Sequence, residues 1–237
     1  MGVKAADSHH AIADARAHHD HLQVAGSTYA LGIGIAAFCV LNLINLAAGQ
    51  PFWLLTQLIN LGLESSLPTW YSSMLWGVAA VLAWRCRDAS EDSRAANTWL
   101  FLALVFAFFS IDEIAMIHER VGRFIATHSG AYGELYGTAR WVPMLGPVAL
   151  LALGAIAWYA RPVYQMAPCS WRLLGIGLAI FLAAALGIES TTNLLNHDTM
   201  QWWWDLEIVI EETLEMLGTW LVIEACSAFP HDSAEHG

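Results

Sequence analysis

The chain has 237 residues, a formal net charge of -11, 57% hydrophobic residues and only 13% charged ones. A soluble domain carries about a quarter charged residues, and here the apolar residues come in long runs; one, from Leu22 to Leu63, holds no Lys, Arg, Asp, Glu or His. That composition excludes an ordinary soluble domain, and with Lys4 the sole lysine no basic stripe exists to meet a nucleic acid.

Residues 1–28 are polar and rich in Ala and His, and read as a cytoplasmic tail. A secretory signal opens with a short basic segment followed at once by an apolar one. This segment does not, so the chain is expected to stay in the membrane uncut. Were the tail helical, Asp7, His10, Asp14, His18 and His21 would share one face as a transition-metal stripe. Its polar composition fits a solvated tail better.

Six segments then read as transmembrane helices, at about 29–48, 68–85, 97–119, 141–160, 171–193 and 206–228. Each is long enough to cross a bilayer at about 1.5 Å per residue. Trp70, Trp84, Trp99, Trp141, Trp158, Trp171 and the run Trp202, Trp203, Trp204 stand near their ends, as expected of indoles settling at headgroup depth. Between the first two spans, Thr56, Gln57, Asn60 and Glu64 fall on one helical face. Trp53, Leu54, Leu55, Leu58, Ile59 and Leu61 take the rest, the pattern of a short helix that lies in the interface or re-enters. Residues 229–237 form a second cytoplasmic tail. The expected fold is an all-α integral membrane protein, a bundle of about six transmembrane helices with this short helix between the first two.

Orientation follows from the basic residues. With the N-terminus inside, the inner segments hold Lys4, Arg16, Arg85, Arg87, Arg94, Arg161 and Arg172, and the outer ones Arg120, Arg123 and Arg140. The excess places both termini in the cytoplasm, with a bacterial inner membrane as the expected host. Cys39, Cys86, Cys169 and Cys226 match no zinc or disulfide framework and read as free thiols. Gly32, Gly34, Gly154, Gly175 and Gly177 are expected to let helices approach closely, and Asn42 and Asn45 to bond between helices.

The chemistry concentrates in three segments. The third span ends with Asp112, Glu113, His118 and Glu119. The fifth ends with Glu189, followed by Asn193, Asn196 and His197. The sixth begins with Glu207, Glu211, Glu212 and Glu215. In this topology all three lie in the outer half of the bilayer. At about 100° per residue Asp112 and Glu119 share a stripe from which His118 points away, while Glu207, Glu211 and Glu215 share another. An ionised carboxylate near the bilayer centre costs about 2.5–3.5 kcal/mol, so these groups must be protonated, paired or hydrated.

Three functions fit. The favoured one is a divalent cation (Fe, Mn or Zn) held by some of Asp112, Glu113, Glu119, Glu189, Glu211, Glu212 and Glu215, with His118 or His197 as a nitrogen ligand. The second is a proton or ion path through the same carboxylates. The third is a structural or accessory subunit in which Arg120, Arg123 and Arg140 neutralise an acidic collar. No Glu-x-x-His pair is present, so the di-metal pattern of helix bundles is incomplete. The expected partners are the lipid bilayer and a small cation.

Overall fold

A computed structural model of the chain describes residues 28–129, 141–192 and 201–236, and among them every regular element is helical. In chain order these are α1 (Thr28–Ala47), α2 (Trp53–Ile59), α3 (Leu67–Ala89), α4 (Ser93–Ala115), α5 (Ile117–Ser129) and α6 (Val142–Ala160). A 3-10 turn (Arg161–Met166) leads into α7 (Pro168–Leu182). α7 runs on through a π-helical segment (Ala183–Ile188) into α8 (Glu189–Thr192), and α9 spans Gln201–His236.

The boundaries have local causes. Ser66 caps α3 by accepting from Thr69 N at 3.3 Å, with Pro68 in the first turn, where its missing N–H costs nothing. Asp92 caps α4 by accepting from Ala95 N at 2.8 Å. The α4 helix stops at Met116, whose φ of 50° and ψ of 43° put it in the left-handed region. The expected third span therefore ends early, and α5 starts a new helix with its own rotational phase.

Among the described residues, four helices are long and apolar enough to cross a membrane: α1, α4, α6 and the stretch Pro168–Thr191. The α3 and α9 helices, of 23 and 36 residues, are also long enough but carry charges, Arg85, Arg87 and Asp88 in one and a row of glutamates in the other. The polar pair sits at the centre. Helix α3 packs along α4 and α9, and α9 packs along α7. Two glycines set the last contact. A Cβ on Gly177 would lie 2.7 Å from the Gly218 carbonyl oxygen, and one on Gly218 would lie 2.7 Å from that of Gly177. Of the other span glycines, Gly32 and Gly34 face Trp220 and Tyr71, whereas Gly154 and Gly175 face open space.

The α1 helix is tied on by backbone acceptors: Tyr71 Oη donates to Leu31 O at 2.7 Å and Trp220 Nε1 to Thr28 O at 2.9 Å. Asn45 bonds Thr56 of α2 at 3.1 Å, so Thr56 turns inward together with Ile59, while Trp53 and Gln57 are exposed. All four cysteines are free thiols.

An aromatic layer crosses the middle of the bundle. Trp76, fully buried, meets Phe106, Phe109 and Phe181 at 5.3, 4.9 and 4.8 Å between ring centroids. Nearer the end holding Arg94 and Arg172, Trp99 stacks on Trp171 at 4.8 Å and meets Phe229 at 4.8 Å. There Asp232 of α9 accepts from Ser170 N at 2.8 Å and so satisfies an amide at the start of α7. Trp99 and Trp141 face inward, each held by neighbours that hydropathy alone does not reveal. Trp70, Trp84, Trp158, Trp202 and Trp203 are exposed. So are large aliphatic side chains, among them Leu151 at 75% and Ile33 at 69%.

Candidate functional site

The site forms where α4 breaks. With Met116 in the left-handed region, the chain folds back so that Asp112 accepts from the His118 backbone N–H at 2.9 Å through Oδ1. Its Oδ2 meets His118 Nδ1 at 2.6 Å. The expectation that His118 points away from Asp112 is corrected here. That expectation assumed one unbroken helix, and the break at Met116 rotates α5 and turns the ring onto the aspartate.

His118 leads to a third element. Its ring stands edge-on to Trp141 at 4.7 Å, and Trp141 Nε1 donates to both carboxylate oxygens of Glu189 at 2.9 Å. Gly122 permits this approach, because a Cβ there would lie 2.8 Å from the Trp141 backbone nitrogen. Glu189 follows the π-helical segment, a rare form concentrated at functional positions.

The acids of α9 close the group. Glu212 and Glu215 interact electrostatically with Glu113, Glu189 and Glu211, and Glu113 accepts from the Ser72 hydroxyl of α3. Carboxylates from α4, α8 and α9 therefore share one neighbourhood. Glu113, Glu212 and Glu215 are half-buried and keep some accessible surface. Glu207 is tied to Thr191 by a 2.7 Å bond from the threonine hydroxyl.

Glu64, Ser72 and Trp141 join the site without having been expected in it. Glu64 comes from the loop between α2 and α3 and feels Glu119, His118, Asp112 and Arg123. Its side of the 50–64 segment was legible as polar, but its meeting with α4 and α5 depends on tertiary packing. Burial of its carboxyl end, then Glu119, pushes Glu64 above its ordinary value of 4.5. Much of the residue remains exposed, so water tempers the effect.

Counter-charges are sparse. Arg123 reaches Glu119 at 3.5 Å and is itself 58% exposed. Among the described residues no arginine or lysine pairs with Glu113, Glu211, Glu212 or Glu215, and Arg120 makes no ion pair. Of the expected counter-charges, the described arginines thus stand at the rim of the group. Arg140, His197 and the His10, Asp14, His18 and His21 stripe lie outside the described residues.

Below the acids the chemistry stops. The aromatic layer of Trp76, Phe109 and Phe181 lies one to two turns from Asp112 and Glu189, with Met216 buried in the same core. Beyond it, no titratable acid or base appears in α3 before Arg85 or in α9 before Glu224, and α4 carries none from Asn97 to Ile111. The acidic group is a one-ended feature. Among the described residues, no three His, Cys, Asp or Glu side chains already stand in an arrangement that would hold a metal ion.

The family described as a domain of unknown function (DUF8692) matches residues 30–228, nearly all of the helical region. No curated protein and no solved structure matches the chain.

Proposed function

The chain belongs to this family of unknown function (DUF8692), and on that footing we propose that it is a multi-pass membrane protein that binds a divalent cation in an outward-facing acidic cleft. Six crossings, by α1, α3, α4, α6, the α7–α8 stretch and α9, follow from this reading. Its support is that the two charged helices lie inside the apolar ones, and that the apolar side chains left exposed have no protein to cover them. The excess of arginine at the opposite pole orients that pole and both termini toward the cytoplasm.

The single observation that carries the cation reading is the charge imbalance: Glu113, Glu211, Glu212 and Glu215 converge with no described guanidinium among them. Such a group needs cations, as protons or as a metal. The Asp112–His118 pair favours the metal. A carboxylate on Nδ1 fixes the tautomer and orients the ring, leaving Nε2 as the available ligand atom. Carboxylate oxygens with one imidazole suit Fe, Mn or Zn. Since no coordinating trio is preformed among the described residues, the flexible glutamates would close on the arriving ion. A bound metal there would serve redox or hydrolytic chemistry, or be passed on.

Conduction is the rival reading, favoured by the row Glu207, Glu211 and Glu215 along α9 and opposed by the aromatic layer beneath it. Elemental analysis of detergent-purified protein separates them. A divalent metal is expected with the wild type and lost in Glu215→Ala, with Asp112→Ala reducing it; no metal in any form overturns the proposal. Proton flux in proteoliposomes abolished by Glu212→Gln would favour conduction instead.

A further inference from the structure

The α6 helix is the least integrated long helix, touching α4 and α5 over short stretches. It leaves a cleft of about 250 Å³ against α4 and α7, whose walls include Leu102, Leu153, Ile156, Leu174 and Leu178. The cleft is apolar along its length and polar at one end only. There Arg161, at the end of α6, and Tyr164 form the mouth. Arg161 lies 6.0 Å above the Trp158 ring, and Arg94 lies 5.4 Å above Tyr159. Among the described residues neither guanidinium meets a carboxylate. Aromatic rings beside unpaired arginines mark headgroup depth, and a guanidinium binds a phosphate oxygen pair in a fork.

We propose that this cleft is a binding site for an anionic glycerophospholipid, one acyl chain lying between α4, α6 and α7 and the headgroup phosphate held by Arg161. The charge is what selects the occupant. An apolar slot alone would accept any chain, but a slot whose one charged wall residue is Arg161, which meets no carboxylate among the described residues in a protein of net charge -11, selects an anion with a long apolar tail. The proposal rests on the membrane reading and is independent of the metal.

The structure supplies a position for a blocking variant. Gly175 lines the cleft, and a Cβ there meets nothing within 4 Å, so the ring of Gly175→Phe is expected to enter the slot from an open side. Native mass spectrometry of the full chain in detergent would compare phosphatidylglycerol with phosphatidylcholine of identical acyl chains. The wild type is expected to retain phosphatidylglycerol about tenfold better, a ratio that Arg161→Gln removes and that Gly175→Phe abolishes together with the adduct itself. Equal retention of the two lipids, or a preference unchanged in both variants, overturns the proposal. So does a dimer that Gly175→Phe dissociates, since the occupant would then be a second copy of the chain. Failure of the underlying membrane reading is read separately. In cloud-point detergent extraction a membrane protein enters the detergent phase, and recovery in the aqueous phase would overturn both ideas, whereas detergent partition without lipid preference overturns this one alone.

Discussion

Met116 holds φ at 50° with a full side chain, a conformation that costs an L residue about 1–2 kcal/mol. The cost is borne at the point where Asp112 turns back onto His118, so the strain and the pair are one feature. Met116→Gly is expected to raise thermal stability in detergent by up to about 1 kcal/mol, less than the full relief because glycine is freer when unfolded. Met116→Val, branched at Cβ, is expected to lose about 1–2 kcal/mol. Glu64 makes a second test at this scale. Its folded pKa lies above 4.5, so between the two values the native state binds more protons than the unfolded one, and stability falls as pH rises through that window. Glu64→Gln removes the titration. Its stability relative to wild type is expected to increase from pH 4 to pH 8, as read by denaturation midpoints; a flat difference would mean that neither burial nor Glu119 raises the Glu64 carboxyl.

Between elements, the decisive contact is backbone against backbone at Gly177 and Gly218. It holds α7 and α9 closely enough that Glu189 beyond the π-helical segment and Glu211 of α9 fall within reach of each other. Adding a methyl at either glycine must push the helices apart. Gly177→Ala and Gly218→Ala are each expected to cost about 1–3 kcal/mol. Gly154→Ala, where a Cβ meets nothing, is expected to be neutral or to gain up to about 1 kcal/mol from helix propensity. The same glycines show how far periodicity reaches. Close approach was expected at Gly32, Gly34, Gly154, Gly175 and Gly177 alike; Gly177 lies against a neighbouring helix backbone, Gly32 and Gly34 under aromatic rings, and two face open space. Which face of an apolar helix meets a neighbour is not encoded when every face is apolar.

For the whole molecule, the six crossings proposed above would put both termini on one side. Alkaline phosphatase fused after residue 237 is expected to be inactive and a fluorescent protein fused there to glow, with the same pair of results at the N-terminus; opposite outcomes at the two ends would require an odd number of crossings. Among the described residues, helices stand in the apolar segments because a run of apolar residues must satisfy its own backbone, and that constraint is local. The positions of the acids near helix ends were legible for the same reason. Their convergence, the turn of His118 onto Asp112, the entry of Glu64 from the loop and the inward place of Trp99 and Trp141 were decided only by packing. Each depends on a break at Met116, on contact between glycines far apart in the chain, or on a neighbour from another helix. Residue order sets what each segment can bury; only the assembled helices set which buried groups meet.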